Sequence, residues 1–143
     1  MNKLAETILD FDGTVGTEDR FAIRRFIARF LEIVNNAQVS EMDAVISDST
    51  TALGLSDFPL QKKQLIELFY KKFFGRRHNY LVLPKLKLSF NKFMFHLSGT
   101  YEEYEQGILT GAGTIDLALI KNDDSFQFVD FKFYPRMRKQ EIV

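Results

Sequence analysis

The sequence predicts an α+β protein in which two to three N-terminal helices pack on a strongly curved, mainly antiparallel sheet. In residues 80–135, apolar side chains recur at every second position in four successive segments, which is the pattern of strands with one buried face. Before them, two segments repeat apolar residues at intervals of three and four, as amphipathic helices do. Isolated glycines at positions 99, 111 and 113 lie within the predicted strands, where they favour bulges or bends and therefore a curved sheet.

Short polar breaks separate the four predicted strands, which span residues 83–90, 93–101, 108–121 and 125–135. Asn91 and Lys92 have turn chemistry, and a two-residue hairpin there would pair Phe90 with Phe93 and bring the apolar faces of the first two strands together. Residues 122–124, Asn-Asp-Asp, predict the turn between the third and fourth strands.

The first long helix is predicted from Glu18 to about Asn36, with Thr17 as its N-cap. Ser40 then caps a short helical turn, and residues 49–55 contain enough threonine to favour a short strand. The second long helix spans residues 60–74 and is followed by Gly75, a residue type common after helix ends.

Length and composition indicate one domain over residues 1–143, with residues 1–16 as a polar lead-in and residues 136–143 as a tail. The 19 basic and 19 acidic side chains balance, which argues against a general nucleic-acid binder. The absence of cysteine excludes disulfides, a thiol nucleophile and thiolate metal sites. No apolar segment is long enough to span a membrane and no secretory signal is apparent, so we expect a cytoplasmic protein that needs no metal or cofactor.

The third and fourth predicted strands are apolar on both faces. In a regular strand, Phe126 and Phe128 would share one face, and residues 129, 131 and 133 would share the other. Helices cover one face, and we expect a second subunit to cover the outer one. The residues expected at this homodimer interface are Phe131, Phe133, Val129 and His96.

The segment from Ile8 to Val15, ILDFDGTV, resembles the first motif of the haloacid-dehalogenase-like phosphatases. That resemblance implies Asp10 as a nucleophile towards phosphorus and Asp12 as an acid and base, beside magnesium. It covers only eight residues, and Glu6 and Thr7 interrupt the apolar strand that should precede the motif. The alternative, which we favour, is that residues 10–16 are a polar lead-in to the first helix.

The order of helix, short helical turn, short strand, helix and four-stranded meander resembles the nuclear transport factor 2-like superfamily, also called cystatin-like or polyketide-cyclase-like. Residues 41–48, 60–74 and 115–129 carry the resemblance, which covers about residues 17–135. It implies a cone-shaped sheet whose open end, between sheet and helices, holds any ligand. Members include isomerases, dehydratases, cyclases, epoxide hydrolases, association domains and transport adaptors, so the fold leaves the function open.

Polar residues in phase with Phe126 and Phe128 indicate where a pocket would lie in such a cone. Asp130, partly desolvated by phenylalanines, would act as a general base, and Tyr101 or Tyr134 would donate a hydrogen bond to an oxyanion. An alternative places Asp130 and Lys132 as a solvated pair at the rim of the sheet, or Asp130 against an arginine such as Arg24. The residues expected to bind a small hydrophobic ligand are Phe126, Phe128, Lys132, Leu117 and Phe95.

Two classes of function therefore stay open. The 15 phenylalanines favour a non-catalytic binding or association module whose pocket is filled by its own side chains. The alternative is an isomerase-, dehydratase- or cyclase-like enzyme that uses Asp130 as its base. The basic cluster that follows the second long helix, Lys71, Lys72, Arg76, Arg77 and His78, fits either a solvated helix end or a phosphate-binding patch.

Overall fold

The structure, a computed structural model, describes residues 7–123 and 125–137, without the side chain of Met137. Within these residues the chain forms three helices and eight strands. In chain order they are β1 (Ile8–Phe11), α1 (Thr17–Asn35), α2 (Val39–Val45), β2 (Ile46–Leu53), β3 (Leu60–Gln61), α3 (Lys62–Phe73), β4 (Tyr80–Val82), β5 (Lys85–Asn91), β6 (Met94–Glu105), β7 (Ile108–Asn122) and β8 (Ser125–Met137).

The strands form one mixed sheet in the order β1-β5-β6-β7-β8-β2-β3, and β4 also pairs with β6. Strands β5 to β8 are the predicted antiparallel meander, whereas β1 runs parallel to β5 and β2 runs parallel to β8. The three helices pack on a curved sheet that does not close, so the predicted α+β class is confirmed.

Helix α1 contributes more buried residues than either of the other two helices. Its buried residues Ile23, Ile27, Phe30 and Val34 recur at intervals of three and four, which places them on one side of the helix. Glu18 and Asp19 lie in the first turn, where carboxylates complement the helix dipole. The predicted caps are wrong by one or two positions, because Gly16 caps α1 and Gln38 caps α2 without side-chain hydrogen bonds.

The β5–β6 hairpin differs in register from the prediction. Asn91 pairs with Met94, so Lys92 and Phe93 form the loop, and Phe90 pairs with Phe95 rather than with Phe93. Lys92 has a φ of 60°, and Phe93 at the tip is 85% exposed. The shift is by two residues, an even number, so the apolar faces of the two strands still coincide.

Strand β8 contains a bulge that sequence alternation does not reveal. Leu119 pairs with Phe128 and Ala118 pairs with Asp130, so Val129 is an extra residue in β8. A one-residue bulge reverses the alternation of side chains beyond it. Phe131 and Phe133 therefore enter the core, where they are 1% and 3% exposed, and they do not lie on the outer face as predicted.

The carbonyl group of Phe128 lies at this bulge. The hydroxyl of Thr50 in β2 donates a hydrogen bond of 2.8 Å to it, and Thr50 is 2% exposed. A buried polar group without a partner is costly, so this bond stabilises the bulged geometry.

Two glycines allow strands to approach closely where the sheet bends. A Cβ at Gly99 would overlap the carbonyl oxygen of Lys85 in β5, and a Cβ at Gly113 would overlap that of Tyr134 in β8. The neighbouring strands approach this closely at the two positions only because no side chain is present.

The predicted lead-in is partly built into the fold. Strand β1 pairs with β5 at the sheet edge, and Val15 is buried in the core. Asp12 accepts hydrogen bonds from the backbone N–H of Thr14, at 2.8 Å, and from its hydroxyl. The Thr14 hydroxyl oxygen in turn accepts a bond of 2.7 Å from the N–H of Phe90.

The predicted lead-in and the predicted tail are each described only in part. Strand β8 runs to Met137, so the first two residues of the predicted tail belong to the sheet. Residues 1–6 of the predicted lead-in and residues 138–143 of the predicted tail lie outside the described residues.

Replacing Thr50 by valine should destabilise the protein by about 1–3 kcal/mol, because the carbonyl of Phe128 would lose its partner while the shape of the side chain is kept. Urea denaturation measures the change. Thr51→Val is the matched control, since Thr51 is exposed on the same strand, and it should change stability by less than about 0.5 kcal/mol. Equal effects of the two substitutions would contradict the role given to Thr50.

Asp12→Ala should lower the free energy of unfolding at neutral pH more than in acid. Hydrogen bonds from the side chain and backbone of Thr14 lower the pKa of Asp12 below its ordinary value of 3.8. A carboxylate whose pKa is depressed by folding stabilises the protein above the unfolded pKa, and this contribution is lost as the pH falls through the folded pKa.

Denaturation curves at pH 7 and at acid pH below that ordinary value of 3.8 test this expectation. A destabilisation by Asp12→Ala that does not change with pH would show that the Asp12 carboxylate does not anchor this segment through its charge.

Candidate functional site

Phenylalanine rings fill the space between helix α1 and strand β8. Phe30 lies against Phe128, with ring centroids 4.4 Å apart, and against Phe131 at 6.0 Å. Phe26 lies 5.7 Å from Phe126 and 5.3 Å from Phe128. Phe128 and Phe131 are neighbours at 4.9 Å. Apolar side chains therefore occupy the space in which the sequence predicted a ligand.

The apolar residues predicted to bind a ligand belong to this core. Phe95, Leu117, Phe126 and Phe128 are all 5% exposed or less. The ring of Phe95 meets that of Phe126 edge-on at 5.8 Å, so these side chains pack against one another. Their prediction as inward-facing residues is confirmed, and their role towards a ligand stays a prediction.

The sheet separates Tyr101 from Asp130 and Tyr134, the other two predicted catalytic residues. Tyr101 lies inside, 3% exposed, with its ring edge-on to Phe133 at 5.0 Å. Asp130 and Tyr134 follow the bulge and lie on the outer face together with Lys132, which the sequence placed on the inner wall. The predicted positions of Asp130, Lys132 and Tyr134 are therefore wrong, because regular alternation was assumed across Val129.

Asp130 and Lys132 form a solvated pair, which is the alternative considered from the sequence. The Nζ atom of Lys132 lies 3.7 Å from Oδ2 of Asp130, and both side chains are more than a third exposed. Such exposed pairs contribute little to stability. Arg24, the other partner considered for Asp130, lies instead over the ring of Phe11, 5.9 Å from its centroid.

The outer face of the sheet contains a hollow of about 720 Å³. Its floor includes Ala118, which pairs with His96 on one side and Asp130 on the other. Because the side chain of Ala118 is smaller than those of His96 and Asp130 on either side, it leaves an open space on the outer face. The side chains that surround this outer hollow are Ser49, Met94, His96, Ser98, Asp116, Ile120, Val129, Asp130 and Lys132.

A second hollow, of about 1070 Å³, lies between helices α2 and α3. Lys62 lines it, and its Nζ atom lies 3.1 Å from Asp43 and 2.9 Å from Asp48. Partial burial lowers the pKa of Lys62, but the hydrogen bonds to Asp48 and Asp43 outweigh burial and raise it overall. The ammonium group of Lys62 is thus paired with two carboxylates of the same chain, and these ion pairs connect α3 to α2 and β2.

The arrangement required by the phosphatase alternative is not present. Strand β1 is an edge strand, not a central buried one, and Asp10 is exposed opposite Lys87. Over residues 7–123 and 125–137, no group of three or more histidine, aspartate or glutamate side chains could hold a metal ion.

No helix in this described part is long and apolar enough to cross a membrane.

The outer hollow is the feature that sequence reasoning missed. The sequence does contain a signal for part of this surface. His96 and Ser98 on β6 and Asp116 on β7 occupy alternating polar positions, which indicates an outward-facing side of the sheet. The bulge at Val129, which brings Asp130 and Lys132 to that face, gives no comparable signal, because the polar residues Gln127, Asp130 and Lys132 alternate with phenylalanines on both sides of it.

No protein-family model matches the sequence, and no curated protein matches it. Solved structures do match. A protein of unknown function with a cystatin-like fold from Nostoc punctiforme has a TM-score of 0.69 at 12% identity, over 85% of this chain and 93% of that one. An NTF-2 like protein of unknown function from Pseudomonas aeruginosa has a TM-score of 0.68 at 14% identity, over 80% of this chain and 98% of that one.

A scytalone dehydratase-like protein from Novosphingobium aromaticivorans has a TM-score of 0.67 at 11% identity, over 84% of this chain and 85% of that one. At such identities the likeness is one of fold. The resemblance proposed from the order of elements is thereby confirmed at the level of architecture. The protein has the nuclear transport factor 2-like fold, also called the cystatin-like fold.

Proposed function

We propose that this protein is a non-catalytic association module that pairs with a second copy of itself through the outer face of the sheet. The observation that carries the proposal is the filling of the interior by Phe26, Phe30, Phe126, Phe128 and Phe131. The cytoplasm stays its predicted location.

The enzyme alternative is not favoured. An acid–base mechanism needs its groups within hydrogen-bond reach of one substrate. Tyr101 packs against Phe133 inside, whereas Asp130 pairs with Lys132 outside, so these two cannot contact the same small molecule. Tyr134 shares the outer face with Asp130, but there the Asp130 side chain is 36% exposed and beside Lys132, so phenylalanines do not enclose it as predicted. The likeness to a scytalone dehydratase-like protein is one of fold and carries no catalytic residues to this chain.

The outer face supports a second copy as the partner. It exposes Met94, Leu53 and Tyr134 at 39%, 38% and 50%, which is apolar surface that association would cover. Val129 and His96 of the predicted interface line the same face, whereas Phe131 and Phe133 are core residues.

Charge on this face is mixed in sign. Lys87, Asp116 and Lys132 lie in one row across β5 to β8, because Lys87 and Asp116 both pair with Ser98 and Asp116 pairs with Lys132. A two-fold symmetric interface opposes a surface with itself, so it requires self-complementarity. A face that carries both signs can oppose each charge with an unlike one.

Light scattering at micromolar concentration should give a mass near twice the 16.6 kDa of one chain. Ala118→Arg should reduce it to that of a monomer, because the new side chain would fill the outer hollow and carry a charge into the interface. Ala28→Arg is the matched control, since Ala28 is exposed on α1, and it should leave the mass unchanged. A monomeric parent protein, or equal effects of the two substitutions, would contradict this proposal.

A further inference from the structure

We propose that the loop Arg76–His78, which follows helix α3, binds the phosphate group of a small molecule. This basic loop lies at a hollow of about 690 Å³, on a part of the surface that the association proposal does not use. The residues that line the hollow with the loop include Asn36, Phe73 and Gln106.

The backbone of the basic loop is held in place from both sides. Gly75, with a φ of 67°, reverses the chain after α3, and the N–H of Asn79 donates to the carbonyl of Arg76 at 2.8 Å. The side chain of Asn79 donates to the carbonyl of Lys72 at 3.1 Å and accepts from the N–H of Gln106 at 2.9 Å. A loop fixed in this way loses little conformational entropy when it binds a ligand.

The arginines are not required to satisfy the end of helix α3. The N–H of Phe74 donates to the carbonyl of Tyr70, and the N–H of Arg76 donates to that of Phe73. Asn79 satisfies the carbonyl of Lys72. None of the five salt bridges of the described chain involves Arg76 or Arg77, whereas Lys72 is paired with Glu103 at 2.8 Å.

The donors of the basic loop suit a phosphate group. Each guanidinium can bind two oxygens of one phosphate in parallel, and an imidazole adds a further donor. Arg77 and His78 are the central residues of the turn closed by Asn79, and their backbone N–H groups make no other hydrogen bond within the described residues. Successive N–H groups of a turn are donors for anions.

The volume of the hollow indicates a small molecule rather than an extended polymer. Small-molecule sites enclose about 300–1,000 Å³, and 690 Å³ lies within this range. Glu105 also lines the hollow, where its carboxylate opposes an anion, so the net attraction comes from two guanidinium groups against one carboxylate.

Titration with pyrophosphate at low ionic strength, followed by backbone amide NMR shifts, tests the proposal. The shifts should saturate and should centre on residues 75–79. Arg76→Ala with Arg77→Ala should weaken binding about tenfold or more, because charge-assisted bidentate bonds are lost. Arg25→Ala with Arg29→Ala changes the net charge equally on the exposed side of α1 and should weaken binding less than about twofold.

Glu105→Gln tests the sign of the charge effect, and a melting temperature equal to that of the parent protein shows that the fold is kept. Removing the carboxylate should strengthen pyrophosphate binding about threefold, because a like charge leaves the hollow. Absence of saturable shifts in the parent protein would overturn the proposal, and so would equal weakening by the two arginine pairs. Weaker binding in Glu105→Gln would also overturn it.

Discussion

One extra residue in strand β8, Val129, determines which side chains the last strand contributes to the core. Phe126 and Phe128 before it and Phe131 and Phe133 after it all lie in the core. Without the bulge, strict alternation would direct Asp130, Lys132 and Tyr134 towards the helices instead. The hydroxyl of Thr50 donates a hydrogen bond to the carbonyl of Phe128 next to the bulge. This bond stabilises the bulge and therefore the reversed alternation of the side chains that follow it.

The consequence of the bulge is an interior filled by aromatic rings and an exterior that carries the charges. Three phenylalanines of β8 and two of α1 pack with ring centroids between 4.4 and 6.0 Å apart where they are adjacent. The two proposals therefore use the surface: the association proposal uses the mixed charges of the outer face, and the phosphate proposal uses the cations of the basic loop.

The sequence predicts the architecture well because period and turn chemistry are local signals. The meander of β5 to β8 and helices α1 and α3 lie where alternation and three-to-four spacing placed them. The parallel pairing of β1 and the bulge at Val129 were not predicted, since both depend on contacts between distant segments. The predicted face of Asp130 and Lys132 was wrong for the same reason, because one unpaired residue moved both side chains to the opposite face of the sheet.

Nuclear Overhauser spectroscopy on selectively labelled phenylalanines tests the phase of β8 most directly. The account predicts contacts from the ring of Phe131 to those of Phe30 and Phe128, whose centroids lie 6.0 and 4.9 Å away. It predicts none from the side chains of Asp130 or Lys132 to Phe30. Contacts from Asp130 to the Phe30 ring, with Phe131 lacking them, would show that β8 alternates regularly and that the filled interior described above is wrong.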